Sequence, residues 1–133
     1  MKKTNEDVAT NEEVAPVKKM RITRTSKELS AQEKYFLTMA PSVQKMKDAV
    51  SQEIEVSAWC LYEDTNSKGD EQEILSIVTP EGDVFATNSP TFKEDFIKMY
   101  DMFIDSGEKV TAIKVISGKS KSDREFITCV YAR

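Results

Sequence analysis

Basic side chains cluster near the end of the chain, where their spacing suits contact with phosphate groups. Residues 109–124 contain five basic residues and one acid, although the whole chain has a net charge of -4. Four of them are candidates for binding a nucleic-acid backbone: Lys114, Lys119, Lys121 and Arg124. Such cations neutralise successive phosphates without reading the bases. The alternative is a solvated, lysine-rich loop.

Aromatic side chains could supply the stacking part of such a site. The candidates are Trp59, Tyr62, Phe85 and Tyr131. Trp59 shares one face of an alternating segment with Glu55 and Ser57, and that alternation assigns the face to solvent. Stacking of a base on an exposed ring contributes about 1 to 3 kcal/mol and tolerates any base. The alternative is that a bulge turns Trp59 into the core, and Phe126 carries a similar ambiguity.

Several other kinds of site are disfavoured by composition. No histidine occurs, which removes the commonest general base and metal ligand. Cys60 and Cys129 lie in apolar runs without metal-site spacing, so we expect two buried thiols. Residues 64–69 begin like a calcium-binding loop, but Leu75 stands where a bidentate glutamate is required. We expect no cofactor, no metal and no enzymatic activity, with a carboxylate-only enzyme as a distant alternative.

The elements that must position these side chains are five strands and one long helix. Strands are predicted at residues 53–62, 72–79, 84–87, 109–116 and 125–132. The helix begins at Pro90, where Thr91 and Glu94 have capping-box spacing, and it ends at Gly107. Three strands, a helix and two strands is the order of the OB-fold, a partly open five-stranded β-barrel. We therefore predict a mostly β, OB-like fold in which the loop between the last two strands forms one wall of the binding groove.

The first 50 residues are predicted to lie outside this barrel. Residues 1–29 lack periodicity and contain a basic run, which predicts a disordered arm: a solvated linker, or a segment that orders on phosphate. Ser30 and Glu33 form a capping box at the start of a short helix. Residues 30–50 then form a helical extension that either caps the barrel of residues 51–133 or provides a self-association surface.

Length and hydropathy indicate one domain that stays in the cytoplasm. A chain of 133 residues is long enough for one domain and too short for two well-packed ones. No apolar run approaches the roughly 20 residues that a membrane-spanning helix needs. The N-terminal residues also lack the apolar segment of a secretory signal. We expect a cytoplasmic protein with no membrane partner.

The C-terminal half carries a family pattern. It consists of Glu81-Gly-Asp-Val-Phe-Ala-Thr-Asn-Ser89, an amphipathic helix, Glu108-Lys-Val-Thr-Ala-Ile-Lys-Val-Ile-Ser-Gly-Lys-Ser-Lys-Ser122 and a closing apolar strand. This order resembles the small single-stranded DNA-binding proteins of tailed bacteriophages, in particular those of phages with protein-primed replication. The resemblance implies an OB-fold protein that coats and protects single-stranded DNA during phage DNA replication in the host cytoplasm. It implicates Lys114, Lys119 and Lys121.

The residues and the resemblance together predict a non-enzymatic protein that binds single-stranded DNA without sequence preference. Further expected partners are replication proteins and a second copy of the chain, contacted through the N-terminal region. The alternative, from another class, is a protein-interaction module. Such a module would engage a host factor through the acidic surface of residues 54–108, which carries 13 acids and three lysines.

Overall fold

The structure, a computed structural model, describes residues 20–133 as two β-sheets with helices packed on them. The elements are β1 (Arg21–Thr25), α1 (Ala31–Thr38), β2 (Gln44–Lys45), a 3₁₀ helix (Met46–Ala49), β3 (Glu53–Glu55), β4 (Ala58–Thr65), β5 (Glu71–Val78), β6 (Val84–Thr87), α2 (Pro90–Asp105), β7 (Ala112–Lys119) and β8 (Glu125–Tyr131). The mostly β class is confirmed. Neither helix in this part of the chain is long and apolar enough to cross a membrane.

Only two residues separate the end of β3, in the small sheet, from the start of β4, in the large sheet. The large sheet has the strand order β1-β4-β5-β6-β2, and the small sheet has the order β3-β7-β8. Between β3 and β4 the amide of Val56 donates to the carbonyl of Thr111, in the segment that leads into β7, at 2.9 Å. The next amide, of Ser57, donates to the carbonyl of Val78 in the large sheet, also at 2.9 Å. The predicted strand 53–62 is therefore divided where the chain passes from one sheet to the other.

The sheets do not close into a barrel. Among residues 20–133, β8 pairs with β7 alone, while the outer edge of β6 pairs with the two residues of β2. No strand pairing joins β6 or β2 to β8 in this range, so a seam separates the two sheets along that side. Part of the seam is covered by α2, which packs along β8.

The main core lies between the two sheets and α2. Phe92 and Phe96 of α2 are fully buried against Leu75 of the large sheet and Ile113 of the small sheet. These positions follow the helical and alternating patterns of the sequence, so the apolar stripe of α2 is core packing. Burial of an aliphatic or aromatic side chain of this kind contributes about 1.5 to 3 kcal/mol.

A second core lies on the opposite face of the large sheet, under α1. Leu37 of α1 and Leu29 before it pack against Cys60 and Tyr62 of β4. The Ser76 hydroxyl donates a 2.6 Å hydrogen bond to the carbonyl of Leu37. The N-terminal extension therefore covers one face of the large sheet.

The helix ends match the local signals, with one exception. At α1 the Ser30 and Glu33 capping box is formed. At α2 the cap is Ser89, whose side chain accepts from the amide of Phe92, and the expected capping box of Thr91 and Glu94 is not the cap. Gly107, at φ +76°, ends α2, because its amide and that of the following residue bond back to the last turn.

The predicted disordered arm is wrong for the part of it that the structure describes. Residues 1–19 lie outside the described range, but Arg21–Thr25 form β1, an edge strand antiparallel to β4. Ile22 packs against the second core, and the two arginines are ion-paired with acids of neighbouring elements. Tertiary pairing thus stabilises a segment whose own sequence has no strand period.

The first strand of the C-terminal hairpin lies three residues further along the chain than predicted. β7 starts at Ala112 rather than residue 109 and continues to Lys119, through residues expected to form a loop. Register pairing between β7 and β8 is unbroken from Ile113 opposite Tyr131 to Lys119 opposite Glu125. The predicted basic loop is therefore a short turn at the tip of a regular hairpin.

Candidate functional site

Trp59 lies in the main core and cannot stack a nucleic-acid base. Its side chain is 0% exposed and makes edge-to-face contacts with Phe96 and Tyr100, at ring centroid distances of 5.4 and 5.0 Å. The expected exposure of Trp59 is wrong because both faces of β4 are covered. One face meets the main core, and the other lies under α1.

Two more of the predicted stacking residues are packed against protein. Tyr62 is 4% exposed in the second core, and burial raises the pKa of its phenol to about 12. Phe85 is half-buried against the main core, directly opposite Ile77. Tyr62 and Phe85 are therefore corrected from stacking candidates to packing residues. Tyr131 is 51% exposed, but one face of its ring packs on Phe103 at 4.7 Å between centroids.

The basic candidates are all exposed on the β7–β8 hairpin, at two separate places. Lys119, Lys121 and Arg124 surround the tip, where the amide of Ser120 donates to the Arg124 carbonyl at 2.9 Å and Asp123 adopts a positive φ. Lys114 lies five residues from Lys119, or about 17 Å along an extended strand. It is opposite Glu53 in the small sheet. The structure thus brings three of the four predicted cations together at one end.

Ion pairing distinguishes the two basic regions of the sequence. In the N-terminal region, Arg21 bonds Glu63 at 2.8 Å and Arg24 bonds Asp101 at 2.6 Å. The Arg24 guanidinium holds the pKa of the Asp101 carboxyl below its usual range, and it also lies 5.4 Å from the centre of the Trp59 ring. These cations link elements of the fold.

At the hairpin the cations are mostly without such partners. Among the described residues, no carboxylate lies within 4.0 Å of the charged groups of Lys114, Lys121 or Arg124, and Lys119 makes one exposed contact of 3.7 Å to Asp123. An exposed pair of this length is weak. These side chains are therefore available for an external anion.

Phe126 is the aromatic residue that sequence reasoning left out of the site. It stands opposite Gly118 in the hairpin and remains partly exposed. Its ring covers the glycine so closely that a Cβ added at Gly118 would lie 2.8 Å from the Phe126 Cζ. The signal in the sequence was an aromatic residue placed across a hairpin from a glycine within a strand.

A cleft of about 770 Å³ opens at the seam beside the hairpin. One wall is formed by β2 and the 3₁₀ helix, with Lys45 and Lys47, and the other by the hairpin, with Phe126. The acids Asp48 and Glu125 also line it. Both lysines were missed because residues 43–50 have no clear period, and their position depends on β2 pairing with β6, about 40 residues away.

The loop that resembles a calcium site satisfies its own polar groups. The Asn66 side-chain oxygen accepts hydrogen bonds from the amides of Lys68 and Asp70. Within residues 20–133 no group of three or more histidine, cysteine or acidic side chains is arranged to hold a metal ion. Cys60 and Cys129 are buried free thiols, as predicted.

No protein-family model, curated protein or solved structure matches this chain. The site is therefore interpreted from its own residues.

Proposed function

We propose that this protein binds single-stranded DNA without sequence preference, through the exposed cations of the β7–β8 hairpin, and has no enzymatic role. The observation that carries the proposal is the tip of the hairpin, where Lys119, Lys121 and Arg124 lie together beside an open cleft. A row of cations next to an aromatic surface is the usual composition of a single-strand binding groove. The resemblance to phage single-stranded DNA-binding proteins supports a role in replication.

We further propose that the two sheets are an opened OB-fold. The run β3–β4, then β5, β6, β7 and β8 would be its five strands, with α2 between the third and fourth. In OB-folds, the face of strands two and three and the two neighbouring loops bind oligonucleotides. Here α1 covers that face, and the loop after β4 is flanked by Asp64, Asp70 and Glu71. The hairpin tip is the remaining element suited to phosphate.

Fluorescence anisotropy of a labelled oligo-dT, titrated at about 50 mM and about 200 mM salt, tests this proposal. We expect affinity to fall steeply with salt and to exceed the affinity for duplex of the same length. In the variant K119Q/K121Q/R124Q, the magnitude of the slope of log K against log salt should fall by about 2, since each phosphate contact on a single strand contributes about 0.7.

The matched control is K34Q/K68Q/K98Q, which removes the same charge from exposed lysines elsewhere. It should retain most of the slope. Absence of binding by the wild-type protein at low salt, or tighter binding to duplex, would rule out the proposed function.

The alternative of an acidic protein-interaction surface has weaker support. Glu63 and Glu73 stand directly opposite each other in the large sheet, but each is paired within the fold, Glu63 with Arg21 and Glu73 with Lys93 at 3.3 Å. Recovery of a defined protein partner that is lost on reversing Asp70 and Glu71, together with negligible DNA affinity, would favour this alternative.

Self-association is a separate expectation, centred on α1. Tyr35, Phe36 and Met39 of this region are exposed large apolar side chains, although Leu37 is buried. Sedimentation velocity over a range of protein concentrations tests it, with Y35S/M39S as the variant that should dissociate a dimer.

A further inference from the structure

The seam cleft is bordered by an unpaired strand edge. Within residues 20–133, β8 is hydrogen-bonded to β7 along one side only. On its other side, the carbonyl of Ile127 accepts from the Ser89 hydroxyl at 3.4 Å, which shows that this carbonyl points into the seam. This edge is partly covered by α2, and the space that stays open beside it is the cleft lined by Glu125, Phe126 and Ile127.

The two walls of the cleft differ in chemistry. Lys45 and Lys47 are exposed on one wall, and no carboxylate of the described residues lies within 4.0 Å of either ammonium group. The partly exposed ring of Phe126 lies on the other wall. A volume of about 770 Å³ falls in the range of ordinary small-ligand sites and is large enough for one nucleotide.

We propose that the cleft takes one nucleotide of the bound strand, with its base against Phe126 and its flanking phosphates at Lys45 and Lys47. This inference rests on the proposed function. It makes β2 and the 3₁₀ helix part of the binding site, in addition to their role in the fold. From the cleft the strand continues to Lys119, Lys121 and Arg124 at the hairpin tip.

A peptide strand added to the edge of β8 is the competing occupant. Two cations and an aromatic ring favour the nucleic acid, because a peptide backbone gains little from the ammonium groups, whereas each phosphate contact releases a counterion. The acids Asp48 and Glu125 limit the net positive charge of the cleft, which is consistent with one nucleotide rather than a long segment.

Four variants of the full chain test the proposal by anisotropy with oligo-dT and with a fully abasic oligonucleotide of equal length. K45Q/K47Q should reduce the magnitude of the salt slope by about 1.4, and K68Q/K98Q, the matched control, should leave it unchanged. F126L should weaken binding to oligo-dT about fivefold or more and should leave binding to the abasic oligonucleotide unchanged. F126W keeps a stacking surface and should bind oligo-dT like the wild type.

Photo-crosslinking gives a readout that does not depend on a variant folding. An oligonucleotide carrying 5-iodouracil, irradiated on the wild-type protein, should crosslink at Phe126. Crosslinks confined to Tyr131 would overturn the cleft proposal, as would wild-type affinity in both K45Q/K47Q and F126L. If those variants bind normally while K119Q/K121Q/R124Q is impaired, the proposed function stands and the cleft assignment fails. If a peptide that pairs with the edge of β8 binds in the cleft of the wild-type protein, and DNA does not crosslink there, the occupant of the cleft is a peptide and not a nucleotide.

Discussion

Trp59 is the largest fully buried side chain, and its indole N–H finds no hydrogen-bond partner among the described residues. Truncation to alanine would leave a cavity between β4 and α2, so W59A should lower the free energy of unfolding by about 3 to 5 kcal/mol. W59F should cost less, because phenylalanine fills part of the volume and also removes the unpaired donor. Urea unfolding followed by circular dichroism measures both. A loss below about 1 kcal/mol for W59A would contradict the burial of this residue.

Two buried thiols and one buried phenol make the stability of the fold decrease at alkaline pH. Burial raises the pKa of the Cys60 thiol to about 11 and that of the Cys129 thiol to about 12, both from an ordinary value of 9.0. The Tyr62 phenol is raised to about 12 by the same cause. Because the unfolded chain loses these protons first, stability should be full below pH 9 and should fall as pH rises towards 12.

Urea midpoints at pH values from about 8 to about 11 test this dependence. Iodoacetamide provides a second measurement, since neutral buried thiols react slowly. Alkylation of Cys60 or Cys129 in the folded protein at the rate of a free cysteine would contradict the assignment.

At the scale of elements, the start of α2 is held by one side chain. Ser89 accepts from the amide of Phe92 and donates to the carbonyl of Ile127, so it caps the helix and ties it to β8. S89A should lower the free energy of unfolding by about 1 kcal/mol, the usual cost of losing an N-cap. S89D keeps the capping acceptor and should retain most of that stability. Equal stability of S89A and the wild type in urea titrations would show that the cap contributes nothing.

The elements predicted correctly from sequence are those whose signals are local. The helix from Pro90, the strand Val84–Thr87 and the short helix after Ser30 are each bounded by turn or capping residues within a few positions. By contrast, β1 forms because Ile22 pairs opposite Tyr62, about 40 residues away. Such pairings leave no period in the segment itself. Residues 20–29 were therefore wrongly predicted to be disordered, because the contacts that order them come from distant parts of the chain.

The cations of the candidate site were predicted from the sequence, whereas the exposure of its aromatic residues was predicted wrongly. Lys119, Lys121 and Arg124 were found because charge segregation is a property of composition, and surface cations stay on the surface. Exposure of Trp59 and Tyr62 depends on what covers β4, and α1 could not be assigned to that face from its own sequence. The cleft lysines depend on a two-residue parallel pairing, which no local pattern reveals.

At the scale of the whole molecule, residues 20–50 are part of the folded unit. Deleting residues 1–29 removes β1 and Leu29, and with them the hydrogen bonds between Ser26 and the backbone of Trp59. The free energy of unfolding should fall by at least the cost of losing one buried leucine, which is about 2 to 5 kcal/mol. R21A, which removes only an exposed ion pair, should lower the stability much less than the deletion does. Thermal melts compare the deletion with R21A. Unchanged stability of the deletion variant would show that residues 20–29 are dispensable for the fold.

The passage from β3 to β4 determines how the whole molecule can deform. At this point, the amides of Val56 and Ser57 anchor one sheet each, and no backbone hydrogen bond joins β2 or β6 to β8 across the seam in residues 20–133. A change in the distance between the two sheets at the cleft breaks no strand ladder, but it must be taken up both near Val56 and in residues 46–52, where the amide of Ser51 donates to the carbonyl of Val115 at 2.7 Å. The side of the seam at β8 is held by packing against α2 and by two hydroxyl hydrogen bonds, from Ser89 to the carbonyl of Ile127 and from Thr128 to the carboxylate of Asp95, so widening the cleft must first loosen these contacts.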